Sequence, residues 1–431
     1  MRALNALGLA VAVGIAVAPA SALASGYSIY EQGAAALGMG GAGAASVSDA
    51  SAVFFNPAAL ARLEGMQLIV GGTMLTPVTS FAGVAPYPGY GVTEEMKRQY
   101  FFPPTFYASR RLAKGYAVGA GLGAPFGLGI EWKDPDTFTG RYIVTKADLN
   151  ALNANLSAAC APSDRWSVGV GADLMFAKVK LQNRQQAIAP GGGGVVTDVA
   201  KVALESDYTT GWGWNAALSF QPGPECKLAA AYRSKVVVKP TGDAVFTQIP
   251  TGDAVFDAAV AASLPPNQGV STVLRFPATW TGAFSYNPVP AWTIEADAIF
   301  FEWSVFEDLP IRFSQTPSAN KTIIENYDDA WQFRIGAEHR CPRFTYRFGY
   351  YYDQAAAPDE SVSPILPDAN RNGVTLGFGC KLGADKRWTV DAYEMALFLD
   401  QRSTNGVERD GYNGEYKSFV NAVGIGLGYR W

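Results

Sequence analysis

Phe419-Val-Asn-Ala-Val-Gly-Ile-Gly-Leu-Gly-Tyr-Arg-Trp431 closes the chain, and its reading decides the fold. Phe419, Asn421, Val423, Ile425, Leu427, Tyr429 and Trp431 take one set of alternate positions; Ala422, Gly424, Gly426, Gly428 and Arg430 take the other. A period of two puts the sets on opposite faces of a β-strand. One face is apolar and ends in two aromatics, as a strand facing lipid does, while the other is small or polar. An edge strand of a soluble sandwich would explain the alternation but not the terminal aromatics.

The pattern recurs upstream. Trp331, Phe333, Ile335 and Ala337 alternate with Gln332, Arg334, Gly336 and Glu338. Phe344, Tyr346, Phe348, Tyr350 and Tyr352 alternate with Thr345, Arg347, Gly349 and Tyr351, and Trp292, Ile294, Ala296 and Ala298 with Thr293, Glu295 and Asp297. About fourteen such runs fall near 66–82, 99–110, 115–128, 150–161, 165–183, 203–221, 226–239, 272–287, 291–312, 322–340, 343–357, 372–382, 387–402 and 414–431. The connections near 111–114, 162–164, 222–225, 288–290, 341–342 and 383–386 are short, and long ones lie between them. Short turns on one rim and long loops on the other are the asymmetry of bacterial outer-membrane barrels. An even strand number places both ends of the barrel on the short-turn, periplasmic side. The expectation is therefore an all-β, 14-stranded antiparallel transmembrane β-barrel over 66–431.

The other end of the chain agrees. Arg2, an apolar stretch from Leu4 to Ala18 and Ala22-Leu23-Ala24 have the layout of a secretory signal over 1–24, cleaved after Ala24. The competing reading is an N-terminal membrane helix, since no charge stands between Arg2 and Glu31. Beyond residue 25 no apolar run reaches the roughly 18–20 residues of a membrane helix. Only helices and closed barrels satisfy their backbone in lipid, so a membrane location after the leader requires a barrel.

Composition narrows the function. Of 431 residues 48% are hydrophobic and only 17% charged, with 46 Gly and a net charge of -4. The mild acidity argues against nucleic acid as partner. The single histidine, His339, excludes a multi-histidine metal site, and no GxSxG elbow appears, so neither an enzyme nor a cofactor is expected. Cys160, Cys226, Cys341 and Cys380 form no CxxC pair and fall at or beside short turns. They are either free thiols packed as small apolar groups or include a rim disulfide, with Cys341–Cys380 the expected pair because their turns are sequential.

Residues 25–65 lack alternation. They carry Gly33, the Ala34–Ala36 run, Gly38, Gly40, Gly41 and Gly43, then Phe54-Phe55 and Asn56-Pro57-Ala58-Ala59-Leu60. Their apolar content argues against a disordered arm. Ala58 to Leu63 reads as a short helix with Pro57 in its first turn and Asn56 as cap. The economical inference is a plug, or hatch, inside the lumen.

This segment resembles the hatch of the FadL/TodX family, outer-membrane channels for long-chain fatty acids and other hydrophobic compounds. Gly26-x-x-x-x-Glu31-Gln32, Asp49-Ala-Ser and Asn56-Pro57-Ala58 carry the resemblance. Ala124-Pro125-Phe126-Gly127, Gly140-Arg141-Tyr142, Phe276-Pro277-Ala278-Thr279-Trp280, Trp303 with Phe306–Leu309, and Leu366-Pro367-Asp368-Ala369-x-Arg371 continue it in order along the chain. The terminal Trp431 departs from the usual Phe but keeps an aromatic. The resemblance implies capture of a hydrophobic compound in an outer groove, a lumenal pocket, a hatch shift and sideways exit through the wall. It also implies a bacterial outer-membrane location, contact with lipid and lipopolysaccharide, and a monomer. Long-chain fatty acids are the expected cargo, aromatic hydrocarbons of the toluene type the alternative within the family. A non-selective porin or adhesin is the rival, and the plug counts against an open pore.

Strand three carries Gly119, Gly121, Gly123, Pro125 and Gly127. Because Pro cannot donate to the ladder and Gly weakens it, Gly121, Gly123, Pro125 and Gly127 are candidates for a lateral gate; they equally give the hatch room. Phe54, Phe55, Asn56 and Pro57 are candidates to touch substrate or strand three, or simply to anchor the plug. Arg233, Glu295, Asp297, Arg334, Glu338, Arg347 and Asp391 should face the lumen, by default as a network of ion pairs. Arg334 and Arg347 are the candidates to meet a fatty carboxylate. The loop over 240–271 repeats Pro-Thr-Gly-Asp-Ala-Val-Phe at 240–246 and 250–256, as part of a capture groove or as loop expansion without a role.

Overall fold

The structure is a computed structural model and describes residues 26–188 and 196–431; the expected signal peptide lies outside them. Its wall strands are β1 Met66–Gly83, β2 Pro104–Ala113, β3 Tyr116–Glu131, β4 Lys146–Cys160, β5 Trp166–Ile188, β6 Thr209–Phe220 and β7 Cys226–Arg233. They continue as β8 Thr279–Tyr286, β9 Trp292–Phe301, β10 Ala330–Arg340, β11 Phe344–Asp353, β12 Arg371–Leu382, β13 Trp388–Leu399 and β14 Gly414–Arg430. Each pairs antiparallel with the next, and β14 closes on β1 from Gln67↔Arg430 to Gly83↔Gly414. The result is a closed 14-stranded barrel. No helix among the described residues is long and apolar enough to cross a membrane.

The alternation divides wall from lumen as read from the sequence. In β14 exposed Val423, Ile425 and Leu427 alternate with buried Ala422, Gly424, Gly426 and Gly428. In β11 exposed Tyr346 and Phe348 alternate with buried Thr345 and Arg347. Trp280, Trp292, Trp331, Phe344, Phe378 and Trp388 are likewise exposed. So much outward apolar surface would be an aggregation liability in water and is the solvated face in lipid.

Several wall strands are shorter than their runs predict, and three of them matter for the lumen. β7 stops at Arg233, β8 begins only at Thr279 and β9 ends at Phe301. The leftover apolar residues fold inward: Val236–Val238 pairs with Leu274–Phe276, and Val236, Val238, Leu274 and Phe276 are buried with Phe126 and Trp303. Alternation alone cannot separate a lipid face from a second, lumenal ladder. On the short-turn rim all four cysteines are free thiols. The expected Cys341–Cys380 bridge is not formed, because Phe344, not Cys341, faces Cys380 across the ladder.

The long connections build an outer cap. Val196–Ser206, Thr241–Gln248 and Gln268–Ser271 extend the sheet above the wall. The duplicated heptapeptide takes two conformations there. Its first copy lies in the Thr241–Gln248 strand and its second opens the helix Ala254–Ser263, whose N-terminus Asp253 caps by accepting from the Val255 and Phe256 amides. Ladder partners at 200–206 hold the first copy extended, whereas the second lacks them and follows its cap.

Candidate functional site: a plugged lumen beside a break in the wall

The plug segment 26–65 carries two one-turn helices, α1 Ala34–Leu37 and α2 Ala52–Phe55, and then a 3₁₀ helix, Pro57–Arg62. Asn56 caps the last, its Oδ1 accepting from the Ala58 amide at 3.1 Å. Its Nδ2 donates to the Ala44 carbonyl at 2.6 Å and to Ser219 Oγ at 2.8 Å, so one buried side chain fastens both ends of the plug loop to β6. An amide has the donors and the acceptor for all three bonds.

The wall grips the rest of the plug by its backbone. Asp297 accepts from the Gly43 and Ala44 amides at 3.0 and 3.2 Å, and Glu295 from the Ala45 and Ser46 amides at 2.6 and 2.9 Å. Two carboxylates on one face of β9 thus bind four successive N–H groups. On β11 and β12 glycines let the plug come close: a Cβ built on Gly377 would stand 2.6 Å from the Gly38 Cα, and one on Gly349 2.6 Å from the Gly40 Cα, while Thr375 Oγ1 accepts from the Gly40 amide at 2.9 Å. Close approach of two backbones is the reason for glycine there.

The predicted lumen charges divide accordingly. Arg347 pairs with Glu338 at 2.7 Å and Asp391 at 2.6 Å, and Arg233 pairs with Asp173. Glu295 and Asp297 instead serve the plug, as does Arg334, which donates to the Gly40 carbonyl at 2.7 Å. Arg334 also donates to Gln332 Oε1 at 2.8 Å, and its guanidinium lies 3.8 Å from the Tyr30 ring centre and 4.6 Å from that of Tyr351. Among the described residues no carboxylate forms an ion pair with it.

The wall is broken beside the plug. β3 pairs with β2 only as far as Phe106↔Leu122, and its ladder to β4 slips between Gly123 and Phe126, where Ala124 and Pro125 bulge. Among the described residues no wall strand pairs with the β2-side edge of β3 from Gly123 to Ile130. The plug covers it from inside: the Ile29 amide donates to the Pro125 carbonyl at 2.8 Å, the Gly127 amide to the Tyr27 carbonyl at 3.0 Å, and Gln32 Nε2 to the Ala124 carbonyl at 2.8 Å. The glycines of β3 accommodate it, since a Cβ on Gly121 would meet Val53 at 2.9 Å and Tyr107 at 2.8 Å. Phe54 lines the narrow space beneath Gly121 and Gly123, whereas Phe55 and Pro57 are buried in the body of the plug. Tyr27 anchors the covering segment, its ring packing edge-on against Trp303 at 4.7 Å and Phe306 at 5.4 Å. Such pairs contribute about 0.5–1.5 kcal/mol each beyond burial.

A cavity of about 290 Å³ opens at this break, walled by Phe101, Phe102, Pro103 and Pro104 on one side and Phe126 to Ile130 on the other. Ser28, Ile29, Leu75, Arg371, Leu397 and Val420 are shared with a polar chamber of about 110 Å³, which adds Glu31, Gln332, Arg334, Tyr351 and Asp353. Arg371 at the junction faces Asp368 at 3.3 Å and Asp353 at 3.8 Å and donates to the Gly26 carbonyl. Asp368, in the outer loop, also accepts from the Ala356 and Ala357 amides, and burial pushes its carboxyl up to about 6. Phe101 to Pro104 escape the sequence reading because they fall inside a predicted strand; the Pro103-Pro104 pair is the signal for a break in pairing.

Fold and site together define an outer-membrane β-barrel channel with an internal plug. The chain belongs to the outer membrane transport protein family OMPP1/FadL/TodX, whose family model matches residues 15–431. A long-chain fatty acid transport protein of Salmonella typhi is 24% identical over 86% of this chain and 87% of its own length. Outer membrane protein P1 of Haemophilus influenzae is 25% identical over 95% of both. Among solved structures, a FadL homologue of Pseudomonas aeruginosa superposes with a TM-score of 0.83, at 20% identity, over 94% of this chain and all of the other. The toluene transporter TodX of P. putida gives 0.73, at 18% identity, over 93% and 98%. The protein is thus an outer-membrane transport protein.

Proposed function

We propose that this channel takes up long-chain fatty acids, holds them in the apolar cavity behind the plug and releases them sideways through the break in β3. The observation that carries this reading is the apolar cavity of about 290 Å³ lying against the unpaired edge of β3. Past it, toward the short-turn rim, the lumen is polar: Asp173 accepts from Asn153, Asn155 and Asn215 and pairs with Arg233. Driving an acyl chain through that zone would cost about 0.8 kcal/mol per CH₂ brought into water, so a lateral path into lipid is favoured. The apolar cleft among Val179, Leu181, Leu204, Val270, Leu309 and Ile311 supports capture at the outer cap.

Gly121, Gly123, Pro125 and Gly127 belong to the gate in this reading. Phe54 lines the narrow space beneath Gly121 and Gly123, and Phe55, Asn56 and Pro57 hold the plug that must shift. Of the two candidate bases Arg334 is the one open to a carboxylate, since two protein carboxylates already meet Arg347. A small neutral aromatic would use the apolar cavity alone, which keeps a toluene-type cargo as the second reading. The channel acts as a monomer amid lipid and lipopolysaccharide. Uptake of labelled oleate and labelled toluene by cells with and without the gene tests it. Gene-dependent oleate uptake is expected, and toluene uptake without oleate uptake would replace the first reading by the second.

A further inference from the structure

The polar chamber is lined by two guanidinium groups, Arg334 and Arg371, and two carboxyls, Glu31 and Asp353, and Arg371 ties a third carboxyl, Asp368, to the set from outside it. Asp353 and Asp368 are ion-paired to Arg371 on the wall and outer loop. Glu31 differs from both. It belongs to the plug and is buried, and the charges of Arg334 and Arg371 act on it, yet among the described residues it forms no ion pair. Arg334 is only 3% exposed, and its Nε has no hydrogen-bond partner. The residues flanking Glu31 are those that close the break, Ile29 on the Pro125 carbonyl and Gln32 on the Ala124 carbonyl.

We propose that Glu31 is the plug's own stand-in for the cargo carboxylate: an arriving fatty carboxylate takes its place before Arg334 and Arg371 and so loosens residues 29–32 from β3. The inference rests on a fatty carboxylate being cargo. With acids already outnumbering bases, a further carboxylate enters the buried set only if one leaves, because like charges at low dielectric exclude one another. Glu31 is the acid free to leave, and its departure pulls on the two gate contacts beside it. Cargo without a charge would not displace it, so gating discriminates fatty acids from neutral compounds of equal length.

The test measures binding of oleate and of oleyl alcohol to the purified full-length protein and to Glu31→Gln, with hydrogen exchange at Ile29 as second readout. Removing the competing charge is expected to tighten oleate binding about tenfold, the scale of 1.4 kcal/mol, and to leave oleyl alcohol within about twofold. In the wild-type protein oleate, and not oleyl alcohol, is expected to speed exchange of the Ile29 amide. Equal changes for both ligands, no change for either, or Ile29 exchange indifferent to oleate overturns the proposal. If the wild-type protein binds oleate but Glu31→Gln is silent, only this coupling falls; if it binds no oleate, the fatty-acid reading falls first.

Discussion

Replacing Glu295 and Asp297 together by alanine is expected to turn the plugged barrel into an ion-conducting pore. Gly43, Ala44, Ala45 and Ser46 donate their amides to the side chains of those two residues. A buried N–H left without a partner costs about 1–3 kcal/mol. Four such losses are comparable with the whole stability of a typical domain, about 5–15 kcal/mol. The wall does not depend on them, since its strands are joined by a closed backbone ladder. The plug should therefore let go while the barrel stays folded. Planar-bilayer conductance is expected to rise at least about tenfold, and the variant should keep the heat-modifiable gel mobility of a closed barrel. Conductance at the wild-type level in a folded variant would mean that Asn56, Arg334 and Thr375, which bonds Gly40 and Gly38 of the plug, suffice to hold it.

Gly121→Trp is expected to abolish most uptake without unfolding the barrel. Gly121 pairs through its backbone with Tyr107 on β2 and Asn155 on β4, and those bonds survive substitution. Even a Cβ there meets Tyr107 and Val53 at 2.8 and 2.9 Å, so an indole must occupy the space between plug and break. Overpacking of this kind costs about 1–3 kcal/mol locally, too little to unfold the barrel and enough to jam a moving part. Gly282→Trp on β8 is the control, because nothing lies within 4 Å of its added Cβ. Oleate uptake should fall at least about tenfold for the first variant and stay unchanged for the second. Equal uptake by both would remove β3 from the route.

The barrel was legible because its rule is local. A period of two and one apolar face are written into each strand, as in Val423, Ile425 and Leu427 against Gly424, Gly426 and Gly428. The plug was legible for the opposite reason, the loss of that period over 25–65. Partners were not legible wherever one partner is backbone. Nothing in Gly43-Ala44-Ala45-Ser46 announces that Glu295 and Asp297 bind its amides, so an ion-pair network was the natural reading. The same limit hid the inward hairpin of Val236–Val238 and Leu274–Phe276, whose residues alternate as well as any wall strand. Pro125 marked one lip of the break; the other, Phe101 to Pro104, was masked by apolar residues that read as strand. The heptapeptide at 240–246 and 250–256 sets a firmer bound, since one sequence takes two structures in one loop.

The central claim is that cargo leaves through the wall beside β3. Photolabelling with an oleate that carries a diazirine at its tail tests it most directly, with the labelled positions mapped by mass spectrometry. Adducts are expected on Phe101 to Pro104 and on Leu128 to Ile130, the two lips of the cavity. Adducts on Asn215 and Ser219, in the polar lumen toward the short-turn rim, would show passage down the barrel and contradict the account.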